Sequence, residues 1–234
     1  MGSHIGRDVN AQFGHYATAA GEQRIITLAD GSRVTLNTRT RLDALVGRDR
    51  REVVLESGEA FFEVAHDPVR PFRVLTSLGN VSVLGTRFAV YDRLQSVEVT
   101  TEQGLVRVSS AGLPESIAAI HVRSGESAVI TAPNSRPRLQ QADLKRIENW
   151  RNQRLEFNAV PLADLLKEFS RYTPVPLQAA NAETGAIRVS GVFRIGDISA
   201  LSKTLHAAFG LAVRNSETGR LIVERPGAAA VDGV

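Results

Sequence analysis

Arg24-Ile-Ile-Thr-Leu-Ala-Asp-Gly-Ser-Arg-Val-Thr-Leu-Asn37 decides how the first half of this chain is read. Arg24–Leu28 and Arg33–Asn37 are both β-branched-rich runs, and they flank Ala29-Asp-Gly-Ser32. Alternation of apolar and polar residues with a period of two marks a strand with one buried face. Asp-Gly between two such runs supplies the positive backbone φ of a tight hairpin turn. The stretch is predicted to be a β-hairpin.

The same pattern continues outward. Strands are predicted at Arg51–Leu55, Glu59–Ala65, Phe72–Thr76, Val81–Leu84, Arg87–Asp92, Val97–Thr101, Leu105–Ser109, Ile117–Arg123 and Ser127–Thr131. Glycines and prolines, among them Gly47, Gly58, Pro68, Pro71, Gly79, Gly85, Gly104 and Gly125, sit in or beside the breaks. Many short strands at this spacing argue a sandwich, barrel or solenoid, and the sequence leaves the three open.

Ala132-Pro-Asn-Ser-Arg-Pro137 cannot easily continue a sheet, and Asp143 to Arg151 reads as a short helix anchored by Trp150. From Leu155 the period changes. Leu162, Leu165, Leu166 and Phe169 form one helical stripe after the short strand Leu155–Phe157. A second copy follows, with strand Ile187–Phe193, a helix on Ile198, Leu201, Leu205 and Phe209, and strand Leu211–Arg214. Asp197 suits the N-cap of that helix. A last strand, Leu221–Arg225, lies beyond the turn Glu217-Thr-Gly219.

The expected fold is an all-β domain followed by a small α+β domain of two βαβ units. Expected boundaries are 1–17 for a tag and N-terminal extension, 18–135 for the β domain, 136–154 for a linker with a short helix, 155–226 for the α+β domain and 227–234 for a frayed tail. Met1-Gly2-Ser3-His4 reads as the remnant of an expression tag, so a leader or membrane anchor is expected to have been removed.

Composition narrows the chemistry. There are no cysteines, which excludes disulfides and thiolate catalysis. The net charge is only +3, and the basic residues are scattered among acids, with aromatics at 6%. Nucleic-acid binding, which needs a clustered basic face or stacking platforms, is not expected. His15, His66, His121 and His206 share no metal-ligand spacing, and His4 belongs to the tag, so no metal and no cofactor are expected. No nucleophile elbow is present. Glu59 and Glu63 alternate with Ala60, Phe62 and Val64 and are expected on the polar face of a strand, with His66-Asp67-Pro68 as a turn.

A conventional enzyme is therefore not expected. Gly85-Thr86 leaves one reaction open: a threonine hydroxyl held over the preceding carbonyl can attack it, and the resulting ester hydrolyses. The plainer reading makes Gly85 a turn and Thr86 an ordinary strand residue.

Leu28-Ala-Asp-Gly-Ser-Arg-Val-Thr-Leu-Asn37, Leu55-Glu-Ser-Gly-Glu-Ala-Phe-Phe-Glu-Val-Ala-His-Asp67, Arg70-Pro-Phe-Arg-Val74 and Val83-Leu-Gly-Thr-Arg-Phe-Ala-Val90 resemble the periplasmic FecR domain. Trp150, Leu155-Glu-Phe157, Pro161-Leu162 and Arg171-Tyr172 continue the resemblance, and the paired strand–helix–strand units look like the secretin and TonB short N-terminal fold. Glu102-Gln103-Gly104 and Gln153 depart from the usual pattern.

The resemblance implies a periplasmic region tethered to the inner membrane. Its implied partner is the N-terminal signalling domain of a TonB-dependent outer-membrane transducer, loaded with a ferric siderophore or similar ligand. It also implies control of an extracytoplasmic-function (ECF) sigma factor through a cytoplasmic segment absent here, and attack by periplasmic and intramembrane proteases. Some members of the family are cleaved at a Gly-Thr bond, which raises self-cleavage between Gly85 and Thr86. Partner docking is expected at open sheet edges of the C-terminal domain, on Leu211, Val213, Leu221, Val223 and Arg225. The other classes carried are a structural envelope module of secretin type that self-assembles, and a polysaccharide-binding β-domain, against which the single Trp and three Tyr count.

Overall fold

The computed structural model describes residues 12–93, 95–216 and 219–226. The tag remnant, the tail at 227–234 and part of the Glu217-Thr-Gly219 turn lie outside the described residues. The chain divides into two compact units at residue 147.

The first unit is built from strands β1 (Gln12–Ala17), β2 (Arg24–Thr27), β3 (Arg33–Leu36), β4 (Arg41–Val46), β5 (Arg51–Glu63), β6 (Phe72–Leu75), β7 (Gly79–Val83), β8 (Arg87–Asp92), β9 (Val97–Gln103) and β10 (Leu105–Ser110). A single helical turn α1 (Glu115–Ala118) precedes β11 (Ile120–Arg123), β12 (Glu126–Ile130) and β13 (Arg138–Gln141). The hairpin read from Asp30-Gly31 is β2 against β3, in register Thr27↔Arg33 to Arg24↔Leu36.

The strands run in two series that share β5. One series is β1-β4-β5-β6-β7-β10-β11. The other is β2-β3-β5-β8-β9-β12-β13. The predicted strands Arg51–Leu55 and Glu59–Ala65 are thus one 13-residue strand. Its first half pairs with β4 and β6, and its second half with β3 and β8.

The corner between the halves is Gly58, at φ 92°. A Cβ there would lie 2.6 Å from Thr40 Cα and 2.8 Å from the Arg39 carbonyl oxygen, so only glycine turns the strand from one series to the other. Past the corner both faces of β5 are covered. Glu59, Ala60, Phe61 and Phe62 are all fully buried, and Phe62 stacks on Phe88 with ring centroids 5.0 Å apart.

Glu59 is a correction to the expected polar face. Its carboxylate accepts from Asn37 Nδ2 at 3.0 Å and from the Arg146 guanidinium at 2.7 Å. A buried carboxylate needs such partners, and the corner at Gly58 creates the buried position. Glu63 remains half-buried between Arg33 and Arg87.

β1 draws residues expected as an extension into the sheet, against β4. Likewise β13 draws in residues expected as linker, against β12. β4 itself alternates buried and less buried residues, a period-two signal masked by its arginine-rich flanks.

Arg51 opens β5 and its side chain is 1% exposed, beside Asp30 at 4%. Its NH1 meets the Asp30 carboxylate at 3.3 Å and donates to the Ala65 carbonyl at 2.8 Å. Nε donates to the Arg70 carbonyl at 2.8 Å, and NH2 reaches the Arg70 and Asp67 carbonyls. Removing the cation leaves the buried Asp30 carboxylate without its counter-ion and several carbonyls without this donor. Arg51→Met is therefore expected to lower the free energy of unfolding by about 3–5 kcal/mol, read by urea denaturation.

The second unit follows α2 (Leu144–Arg151), whose N-terminus is capped by Asp143 accepting from the Arg146 amide at 2.9 Å. Its elements are β14 (Arg154–Pro161), α3 (Leu162–Ser170), β15 (Leu177–Ala179), α4 (Ala182–Ala186), β16 (Arg188–Arg194), α5 (Ile198–Phe209), β17 (Ala212–Asn215) and β18 (Leu221–Glu224). Helix α3 buries the predicted stripe Leu162, Leu165, Leu166 and Phe169. In α5 Leu201 and Leu205 are buried, and Asp197 accepts from the Ala200 amide at 2.8 Å as its N-cap.

Neither βαβ unit closes on itself. β14 pairs with β16, the two opening strands, while β15 lies parallel to β18, which also pairs with β17. The strands of each unit are split between two small sheets, so the units interlock.

Candidate functional site

Between β7 and β8 the chain passes through Leu84-Gly85-Thr86, the bond singled out in the sequence. The β5–β8 ladder, in register Phe62↔Phe88 and Glu63↔Arg87, runs on past the strand ends. The Val64 amide donates to the Thr86 carbonyl at 3.0 Å, and the Asp67 amide donates to the Leu84 carbonyl at 2.7 Å. These two hydrogen bonds bracket Gly85 and press it against His66. A Cβ on Gly85 would lie 2.6 Å from His66 Cα and 2.7 Å from its Nδ1, so no larger residue fits.

Thr86 is 7% exposed. Its methyl packs toward Gly104, where a Cβ would come within 2.7 Å of Cγ2. Its Oγ1 has no hydrogen-bond partner among the described residues. A buried hydroxyl without a partner costs about 1–3 kcal/mol, and such exceptions concentrate where chemistry needs the group uncommitted. Thr86 lines a cleft of about 400 Å³ together with His66, Gly85, Leu105, Arg107 and His121.

The structure thus brings together two histidines that the sequence holds 55 positions apart. Their meeting had no local signal: His66 reaches Gly85 only through the β5–β8 register, and His121 only through β10, which pairs with both β7 and β11. Elsewhere His15 bonds Asp43 at 2.5 Å, and His206 is exposed on α5. Among the described residues no cluster of three or more histidines and carboxylates forms.

The loop carrying His66 is held at both ends. Arg51 fixes the carbonyls of Ala65, Asp67 and Arg70 from below. Asp67 closes the turn above by accepting from the Val69 and Arg70 amides at 3.0 and 3.1 Å and from the Arg70 guanidinium at 2.8 Å. The Arg70 amide, then its guanidinium, hold the Asp67 carboxyl down at about 2.

A carboxylate whose pKa is depressed on folding stabilises the fold above its unfolded value, and that contribution fades as pH falls through the folded one. The difference in unfolding free energy between the native protein and Asp67→Asn should therefore narrow as pH drops from about 4 to about 2. Urea titrations across that window test it.

The expected docking residues separate. In the three-stranded sheet β18 lies in the middle, paired through Leu177↔Leu221 to one side and Val213↔Val223 to the other. Leu221 and Val223 are therefore not on an edge, and Val223 is fully buried. Arg225 lies beyond the strand end, and Leu211 is buried ahead of β17. Val213 stands on β17, an edge of this sheet, as β15 is the other. Arg214 on β17 pairs across to Glu224, which raises the guanidinium pKa and lowers that of the carboxyl.

Comparison with known proteins gives two findings. Residues 14–107 match the family model described as FecR protein. Two crystal structures of a candidate anti-sigma factor from Parabacteroides distasonis ATCC 8503 share the fold, each with a TM-score of 0.70. One is 23% identical over 92% of this chain and 100% of its own, the other 22% identical over 91% and 99%. At that identity the likeness is one of fold. No curated protein matches the chain.

Proposed function

Since residues 14–107 match the FecR family model, we propose that this chain is the signal-receiving region of a regulator that controls an ECF sigma factor. The FecR match carries the reading, and fold similarity to a candidate anti-sigma factor over nine-tenths of the chain supports it. In this reading the region lies in the periplasm, tethered to the inner membrane. The signal comes from the N-terminal signalling domain of a TonB-dependent outer-membrane transducer, and proteases act on the regulator once it arrives. Among the described residues no helix is long and apolar enough to cross a membrane.

The edge strand β17 offers the transducer domain a row of main-chain donors and acceptors, and adding a strand there satisfies them at little structural cost. In an antiparallel edge strand successive amides alternate between the sheet and the open side. Of Val213 and Arg214, one therefore directs its amide outward. Calorimetric titration of the full chain with the signalling domain of the transducer encoded beside its gene tests the reading. Binding is expected, and a proline at the outward-facing position is expected to weaken it at least about tenfold, with little loss of stability. No binding by the intact chain favours the self-assembling envelope module instead.

Self-cleavage at Gly85-Thr86 is a second property of the same region, favoured by the uncommitted Thr86 Oγ1 beside a pinned glycine. The Thr86 hydroxyl adds to the Gly85 carbonyl carbon, the C–N bond breaks, and the ester formed is hydrolysed. The products remain joined by the β5–β8 and β7–β10 ladders. Mass spectrometry is therefore expected to give one native mass but two masses after denaturation, and a single denatured mass for Thr86→Val. A single denatured mass for the unaltered protein after long incubation removes this property.

A further inference from the structure

From the packing of its imidazole on Gly85, we infer that His66 carries the proton in this self-cleavage, an assignment that rests on the Gly85-Thr86 reading above. Three observations converge. The amides of Val64 and Asp67 clamp the chain on either side of Gly85, at 3.0 and 2.7 Å, so His66 is fixed opposite the scissile segment by main-chain bonds. Its Nδ1 comes close enough to Gly85 to exclude a methyl group there. Thr86 Oγ1 has no competing hydrogen bond among the described residues, and Thr86 lines the same cleft as His66.

The proton passes between hydroxyl and imidazole directly or through a water in the cleft that both residues line, which at about 400 Å³ is roomy enough to hold one. A threonine hydroxyl is a poor nucleophile until a base accepts its proton. In the step proposed, the Thr86 hydroxyl proton passes to the imidazole as Oγ1 bonds to the Gly85 carbonyl carbon. The imidazolium then returns the proton to the Thr86 nitrogen as the C–N bond breaks. This leaves an ester between the Gly85 carboxyl and Thr86 Oγ1, with a free amine on Thr86. Water hydrolyses the ester, and no oxidant or reductant is needed.

Other titratable and charged groups lie around His66. Asp67 and Arg70 share its loop, Arg51 lies beneath on β5, and Arg107 on β10 and His121 on β11 line the same cleft. The three atoms nearest to a Cβ on Gly85 all belong to His66. Asp67 is committed to its turn, and Arg51 to carbonyls and Asp30. His121 is the one rival base, and the test separates the two.

The full chain, freshly made by cell-free translation, is followed at pH 5 to 8 by denaturing mass spectrometry. Hydroxylamine is added in parallel to capture the ester as the Gly85 hydroxamate. The unaltered chain should yield a fragment ending at Gly85 and one beginning at Thr86, faster as the pH rises and imidazole loses its proton. His66→Gln should slow this about a hundredfold and flatten its pH profile, with unchanged circular dichroism and unfolding midpoint. His121→Gln should keep the native rate and profile.

Cleavage of His66→Gln at the native rate and pH dependence overturns the assignment while leaving self-cleavage intact. So does loss of the pH dependence in His121→Gln instead. An unaltered chain that stays whole at every pH, with nothing released by hydroxylamine, overturns self-cleavage itself and the role of His66 with it.

Discussion

The buried guanidinium of Arg51 is the contact on which the rest of the β unit depends. It joins the turn of the first hairpin, through Asp30, to the carbonyls of a loop more than thirty residues further on. It also lies 5.9 Å over the Phe72 ring, at the start of β6. Burying a cation is costly, and the cost is met only when its donors are all occupied. A planar fork of five N–H groups can reach a carboxylate and several carbonyls at once, which a lysine ammonium cannot. Asp30 is in turn fixed by Ser32, whose hydroxyl and amide both donate to it. The Asp-Gly turn therefore reverses the chain and also places the counter-ion for Arg51 at the start of β5.

That constraint extends to the cleft. With the carbonyls of Ala65, Asp67 and Arg70 held from below, the loop has one course, and it sets the Val64 and Asp67 amides against Thr86 and Leu84. Gly85 is caught between this loop and its own strand ends. Thr86 is left with a buried hydroxyl that the surrounding sheet does not satisfy. This hydroxyl is thus uncommitted beside the only residue type that fits before it. Rigidity at such a site is what the proposed intramolecular attack requires, since approach to the preceding carbonyl depends on the peptide being unable to relax away.

The C-terminal unit follows a different logic. The opening strands of the two βαβ units pair with each other and the closing strands form a second sheet, so strands are exchanged between sheets. The exchange leaves β18 in the middle and exposes β15 and β17. β15 and β17 are the edges of the three-stranded sheet, and β14 and β16 are each an edge of the two-stranded one. The residues that looked most strand-like, Leu221 to Val223, are instead fixed by partners on both sides.

Local periodicity in the sequence determined the first hairpin, most strands of the β unit, the α3 stripe and the Asp197 cap, because each depends on residues a few positions apart. Gly85-Thr86 stood out through the resemblance to FecR domains and not through local periodicity, which reads it as a turn and an ordinary strand residue. Periodicity did not reveal that Arg51–Glu63 is one strand, that Glu59 is buried against Asn37 and Arg146, that β18 is central, or that His66 lies on Gly85. Each of these depends on which strands become neighbours and in what register. Those choices are made by the closure of a shared core around β5 and by the exchange of strands between sheets, and contacts of that kind join residues that no local pattern relates.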